Sequence, residues 1–260
     1  MRFASLGSGS KGNATLVSDG STTVLVDCGF AAREALNRME RLAFDPASLD
    51  AVVVTHEHGD HGKGVRALCR RLGIPAYMSP GTAIGLKCHA DPHVRLIDTH
   101  RPFVIGSVEV TPVIVPHDAR ETCQFVFAAG GRRLGLLTDL GHITPYIVSA
   151  YHDLDALILE ANHDPDMLAE GPYPPSLKRR VGGDFGHLSN QQSADLLRRI
   201  DITRLQQVVI AHISDQNNDP ARAEAVLAEA MPGHEYKLQI STQEAGHGWC
   251  TVNTRIEDPA

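Results

Sequence analysis

A chain of 260 residues can form one large α/β domain with a sizeable core, or two small ones. Its 42% hydrophobic and 21% charged content is ordinary for a globular protein, and no apolar run approaches the roughly 18 residues of a bilayer span. A formal charge of −7 with 5% aromatic residues excludes a broadly basic nucleic-acid binder, although a bound metal would add positive charge where the carboxylates sit.

Residues 3–6, 15–18 and 23–26 read as strands, with the glycine- and serine-rich loop 7–13 between the first two and Asp19-Gly20 as a hairpin turn. Ala35, Leu36, Met39 and Leu42 recur at helical spacing and predict a helix over 31–42 that ends before Asp45-Pro46. A buried strand over 51–55 follows, then a helix over 63–72 stopped by Gly73. Residues 76–98 alternate short strands with a helix near 81–88. Strands are expected over 108–115, 122–128, 133–138, 154–160 and 205–211, with Gly130-Gly131 as a turn. Helices are expected near 143–149, 190–200 and 220–231, and strands over 236–240 and 249–253 close the chain. Residues 166–184 hold several glycines and prolines and read as a loop. No repeat or long linker divides the chain, which reads as one domain, 1–260.

The five cysteines, Cys28, Cys69, Cys88, Cys123 and Cys250, never stand at C-x-x-C spacing. They read as reduced thiols of a cytoplasmic protein, with Cys28, Cys69 and Cys123 as small core residues. The amino terminus reaches glycine and serine before a signal-peptide core could form. Arg66/Arg70/Arg71, Lys178-Arg179-Arg180 and Arg198-Arg199 read first as solvated helix faces and second as phosphate tracks.

The most informative stretch is Thr55-His56-Glu57-His58-Gly59-Asp60-His61, directly after Ala51-Val52-Val53-Val54. It sets three imidazoles and a carboxylate in a loop at the carboxyl end of a buried strand. That donor set suits zinc, iron or manganese, with little preference among them. His117, Asp139, Glu160 and His212 also follow apolar strands. Five strands that each deliver a ligand-type residue at the carboxyl end describe one converging site. His89, His93, His100, His142, His163 and His247 read as non-ligands. Asp27 ends a strand and is expected to bond a ligand histidine or the loop backbone. Asn13 closes the 7–13 loop, which reads as a plain turn before it reads as a phosphate cradle.

His-x-His-x-Asp-His after a strand, then His117, Asp139 and His212, resembles the metallo-β-lactamase superfamily. The stretches 7–13, 137–141, 160–164, 186–190 and 211–220 are similar to the YycJ/WalJ group of stand-alone hydrolases. The resemblance implies an α/β fold: an αββα four-layer sandwich of two mixed sheets with helices outside. It implies two divalent metal ions, zinc or manganese with iron as a further option. His56, His58 and His117 would hold the first, Asp60, His61 and His212 the second, and Asp139 would bridge them. Water held between the ions would be the nucleophile, with Asp60 orienting or deprotonating it. Glu160 and His187 stand where tRNA-processing relatives carry a carboxylate and histidine that assist the leaving group. The competing reading of His187 is a cap for the helix that begins near Asn190.

These residues point to a metal-dependent phosphodiesterase or exonuclease acting on nucleic acid, DNA before RNA, with no membrane partner. The interval from Asp139 to His187 leaves no room for the clamping domain of the β-CASP nucleases. A small-molecule hydrolase that cleaves a cyclic phosphodiester, lactone or thioester would need the same metals and a tighter pocket. Lys178, Arg179 and Arg180 would favour phosphate if they face the metals. A non-catalytic binder would show lost ligands, and all seven expected positions are filled.

Overall fold

The computed structural model describes residues 1–253, so the last seven residues of the expected 1–260 domain lie outside the described residues. Strands β1 (Arg2–Gly7), β2 (Ala14–Ser18), β3 (Thr23–Val26), β4 (Ala51–Val53), β5 (Ala76–Met78) and β6 (Val94–Leu96) build one sheet in chain order. The second sheet runs in chain order through β7 (Phe103–Ile105), β8 (Val108–Ile114), β9 (Cys123–Ala129), β10 (Arg132–Leu137), β11 (Ala156–Glu160), β12 (Gln207–Ala211) and β13 (Leu238–Ile240). The last strand, β14 (His247–Thr251), returns to the first sheet beside β1. Each sheet is mixed: β1 to β3 and β7 to β10 pair antiparallel, while β3 to β6 and β10 to β13 pair parallel.

Side-chain alternation sorts the strands' two faces, because successive residues of a strand point to opposite sides. In β11, Ala156 and Ile158 enter the core between the sheets, whereas Leu157 and Leu159 face the helices. Val24 and Val26 of β3 likewise turn inward and Leu25 outward. Helices α1 (Ala32–Arg41), α2 (Gly59–Gly62), α3 (Val65–Leu72) and α4 (Pro80–Gly85) follow strands of the first sheet. Ala35, Leu36 and Met39 of α1 and Leu68 of α3 cover its outer face against Leu16, Leu25 and Val52. Beside the second sheet come α5 (Pro145–Ala150), α6 (Pro165–Glu170), α7 (Pro175–Val181), α8 (Asn190–Leu197) and α9 (Pro220–Ala228). Of these, Ile147, Leu196, Leu197 and Leu227 pack on Leu157, Leu159, Val208 and Ile210. The result is the αββα four-layer sandwich.

Two local expectations are corrected and one strand is added. The segment 166–184 is two short helices, α6 and α7, because prolines at their first positions supply a preset φ and need no donor there. Asp60 and His61 sit in the single helical turn α2, not in a loop, and α3 follows only after Gly64. Strand β7 has three residues, too few for its alternation to register, and is held by pairing with β8. All five cysteines are buried and none is in a disulfide. No helix among the described residues is long and apolar enough to cross a membrane.

Candidate metal centre

Three strands that feed the site leave it through the same strained step. Asp27 just beyond β3, Asp139 just beyond β10 and His212 just beyond β12 have φ of 60°, 56° and 52°. A left-handed backbone costs a non-glycine residue on the order of 1–3 kcal/mol and persists only where its surroundings over-determine it. Here hydrogen bonds do so. Thr55 donates its N–H to Asp27 Oδ1 at 2.8 Å, Asp139 donates its N–H to Glu160 Oε1 at 3.2 Å, and His212 donates its N–H to Ser8 Oγ at 2.9 Å.

His56, His58 and His117 bring three ring nitrogens together: His56 Nε2 lies 3.0 Å from His58 Nδ1, which lies 3.3 Å from His117 Nε2. The outer contacts fix which nitrogens carry protons. Thr55 Oγ1 gives its proton to Asp27 Oδ2 at 2.8 Å, so it accepts from His56 Nδ1 at 2.9 Å. His117 Nδ1 donates to the Gly186 carbonyl at 3.0 Å. The Nε2 lone pairs of His56 and His117 therefore face inward. Burial pushes both rings toward the neutral form, helped by His61 at His56.

The second group is built the same way. His61 Nδ1 lies 2.8 Å from Asp27 Oδ2, and its Nε2 lies 3.3 Å from Asp139 Oδ2 and 3.5 Å from Asp60 Oδ2. His212 Nδ1 lies 3.2 Å from Glu160 Oε1, with its Nε2 3.4 Å from Asp139 Oδ1 and 3.6 Å from Asp60 Oδ2. One carboxylate, Asp139, thus addresses His61 with one oxygen and His212 with the other. Burial opposes charge on His212, yet Asp139, Asp60 and Glu160 push its pKa up to about 10. Burial likewise opposes charge on Asp60, but His212 and His61 hold its carboxyl well below the usual range.

Such a cluster demands positive charge between its carboxylates. Asp139 Oδ2 and His212 Nε2 are buried with no hydrogen-bond partner, an arrangement expensive in a folded protein unless another group completes it. Ligand atoms within 4.8 Å of one another fall into the sets His56/His58/His117, Asp60/His61/His212, His56/His61/Asp139 and Asp139/Glu160/His187/His212. Imidazole plus carboxylate is the chemistry of borderline divalent ions, and the donors present fit it. The seven residues expected as ligands are thereby brought together.

Glu160 is fully buried and accepts from His187 Nδ1 at 2.9 Å and from the Leu188 N–H at 2.9 Å. Burial raises its pKa, but His187 and His212 beside it bring the carboxyl down to about 2. The His187 ring stacks on His212 at 5.2 Å and lines the cleft. It is not a helix cap: Ser189 caps α8 through a capping box with Gln192.

The cleft over the cluster holds about 300 Å³ and is bounded by Ser10, Tyr173, Arg180, Val181, Asn162 and Ser214 besides the cluster itself. Of the three basic residues at 178–180, only Arg180 lines it; its Nε donates to Asp118 Oδ2 at 2.5 Å. Lys178 Nζ is turned to the Ala169 carbonyl. The 7–13 loop is no phosphate cradle. The N–H groups of Ser8, Gly9, Lys11, Gly12 and Asn13 go to Thr242 O, Asn13 Oδ1, Gln243 Oε1, Gly9 O and Asp60 O.

Several residues that hold the site carried no sequence signal of their role. Thr55 is the hydroxyl between Asp27 and His56, and Asn162 donates to the His212 carbonyl at 2.9 Å. Asp118 was hidden beside His117, where only the structure shows its ion pair. Asn217 and Asn218, part of the subgroup resemblance, are buried, and Asn218 ties Ala161 to Asn190. Their contribution is to hold the loop after His212.

Comparisons with known proteins agree with this geometry. Over 241 residues the chain is 33% identical to the exodeoxyribonuclease YycJ of Bacillus anthracis, covering 89% of each protein. It is 29% identical to the exodeoxyribonuclease WalJ of Streptococcus pneumoniae, covering 84% of this chain and 83% of that one. The metallo-beta-lactamase fold protein YhfI from Bacillus subtilis superposes with a TM-score of 0.74 at 16% identity, over 96% of this chain and 99% of that one. The family described as beta-lactamase superfamily domain matches residues 22–213. With that match and the buried histidine–aspartate cluster together, the chain belongs to the beta-lactamase superfamily and is a metal-dependent hydrolase.

Proposed function

We propose that this protein is a two-metal DNA exonuclease. In this reading His56, His58 and His117 hold one divalent ion, Asp60, His61 and His212 the other, and Asp139 contacts both. Bound there, the ions supply Lewis-acid chemistry: they lower the pKa of water and neutralise charge developing on a phosphoryl group. The observation that carries the reading is the inward set of ring nitrogens. His56, His61, His117 and His212 each have one ring nitrogen engaged by an outer hydroxyl, carboxylate or carbonyl, while the other turns toward its neighbours in the cluster. Such outer contacts fix tautomer and orientation in metal sites.

The chain's own groups supply positioning and proton transfer. Asp60 lines the cleft and orients the attacking water by accepting its hydrogen bond. Glu160 holds His187 by Nδ1–H, and the imidazolium form of the ring gives its Nε2–H proton to the departing oxygen. DNA as substrate is supported by the two relatives named exodeoxyribonucleases, which match over most of their length. The nitrogen-rich donor set favours zinc, with manganese or iron as alternatives for the same test.

The test is digestion of end-labelled DNA and RNA by protein loaded with zinc, manganese or iron, with Asp60→Ala and His58→Ala as controls. Processive shortening of DNA by the wild type alone is expected. Preference for RNA would replace the substrate but keep the chemistry. Turnover of bis(p-nitrophenyl) phosphate with neither nucleic acid cut would move the site to a small-molecule diester.

A further inference from the structure

Among the described residues that bound the cleft, Arg180 is the one arginine or lysine, and its partner is Asp118. Arg180 grips Asp118 with two donors, Nε at 2.5 Å and Nη2 at 3.3 Å, and both side chains reach solvent, at 56% and 31% exposure, which screens the pair. The same carboxylate lies 3.5 Å from His117 Nε2 and 3.9 Å from His58 Nε2. Arg180 is therefore held beside the metal ligands by a two-oxygen acceptor whose place an incoming phosphate, with the same bidentate geometry, can take.

Five residues on stands Phe185, 61% exposed, two positions before His187. Its backbone is fixed in spite of that exposure. Phe185 O accepts the Asp118 N–H at 3.0 Å, and the next carbonyl, Gly186 O, holds His117. A Cβ on Gly141 would lie 2.2 Å from the Asp184 carbonyl carbon and 2.5 Å from Phe185 N, and one on Gly186 would lie 2.2 Å from the Arg180 carbonyl oxygen. The turn is packed from beneath, so the ring is carried on a rigid support while its face is left to solvent.

An exposed aromatic on a rigid turn, next to the one arginine of a cleft that ends at metal ligands, has the chemistry of a nucleotide. We propose that Arg180 and Phe185 form a rim subsite for the nucleotide next to the scissile bond, the guanidinium binding its phosphate and the Phe185 ring stacking on its base. The inference rests on the nuclease reading and deepens it, since a base at a strand end has a free face to stack. Sequence preference is weak because every base has such a face.

The test compares metal-loaded wild type, Phe185→Ala, Phe185→Trp and Arg180→Gln on two single-stranded oligonucleotides, one ordinary and one with abasic sites at both ends. Base stacking predicts that Phe185→Ala raises KM roughly 5- to 100-fold on the ordinary strand, with kcat changed less than about 2-fold. On the abasic-ended strand Phe185→Ala and wild type should coincide, and Phe185→Trp should retain the wild-type KM on both. Arg180→Gln should raise KM on both strands alike. Anisotropy with a labelled phosphorothioate strand, which reads binding apart from turnover, should rank the variants in the same order. Wild type that cuts DNA while Phe185→Ala keeps its KM on the ordinary strand overturns the subsite and leaves the nuclease reading standing. Wild type that neither cuts nor binds either strand, nor duplexes with the same ends, overturns both.

Discussion

Asp27 and His61 meet at 2.8 Å across 34 residues of sequence, both almost wholly buried, and the same carboxylate accepts the Thr55 hydroxyl and N–H. One side chain on a left-handed residue after β3 therefore orients a histidine of α2 and, through Thr55, His56. Asp27→Asn is the informative change, because asparagine tolerates the positive φ and can keep the bond from the Thr55 N–H. It replaces the other oxygen by a donor facing two donors. Metal affinity is expected to fall roughly 10- to 100-fold with the fold retained. Competition titration with a chromophoric chelator and far-UV circular dichroism read the two halves of that expectation; unchanged affinity would show that His61 is oriented without Asp27.

His187 is tied to Glu160 Oε1 at 2.9 Å and stacked on His212, with its ring at the cleft. A proton donor matters only where the leaving oxygen is basic. Replacement by alanine should lower kcat on DNA by roughly 100- to 10,000-fold. On bis(p-nitrophenyl) phosphate, whose leaving group departs unprotonated, the same variant should lose far less. Bound metal, measured by elemental analysis, should not change. Equal losses on both substrates would assign His187 to substrate positioning.

The strand pattern and the metal cluster were both legible in the chain, and for one reason, whereas the two-sheet αββα layering came from the family resemblance. Buried strands such as 51–54 and 157–159 are apolar runs that stop abruptly, and the polar residue at the stop is the one exposed at the sheet edge. The pattern was blind where contacts are long-range and chemically ordinary. Thr55, Ser8 and Asn162 are common polar residues whose roles depend on partners up to 204 positions away. Segment 166–184 looked like a loop because glycine and proline usually break structure, whereas here proline opens two helices. The 7–13 loop read as a plain turn before a phosphate cradle, and the structure bears out the turn, with the N–H groups of Ser8, Gly9, Lys11, Gly12 and Asn13 engaged.

His163 gives a pH dependence that stands outside the proposed ligands. It is 4% exposed, its Nδ1 has no hydrogen-bond partner, and burial lowers its pKa to about 4, against a weaker opposing pull from Glu160. Since the folded value lies below the ordinary 6.5, the unfolded chain binds the extra proton between them. Stability from this group is full above about pH 6.5 and is lost as pH falls toward 4, by at most about 3 kcal/mol. Urea unfolding at pH 7 and pH 4.5 should show a smaller acid loss in His163→Leu than in wild type. An identical loss in the two proteins would mean that the His163 ring reaches water in the folded state.

Gly29 tests whether the second metal group depends on how closely two backbones approach. A Cβ there would lie 1.7 Å from the Asp60 carbonyl oxygen, and no real contact is that short. The obstruction is backbone, so no side chain can swing away. Gly29 also donates its N–H to the Asn13 carbonyl at 3.0 Å, and Asn13 donates its own to Asp60 at 2.8 Å. Gly29→Ala must therefore push the α2 turn away from the sheet, carrying Asp60 and His61 off their positions beside His212. The expected outcome is a protein destabilised by roughly 1–3 kcal/mol, the usual range for overpacking. It should bind the second equivalent of zinc at least 10-fold more weakly than the first, since His56 and His117 lie on other segments and His58 only caps the α2 turn. Calorimetric titration of the metal-free variant, set against Gly106→Ala, where a Cβ would lie 2.1 Å from Thr22 Oγ1 in the turn between β7 and β8, separates the two effects: tight binding of both equivalents by Gly29→Ala would show that α2 does not position the second ion.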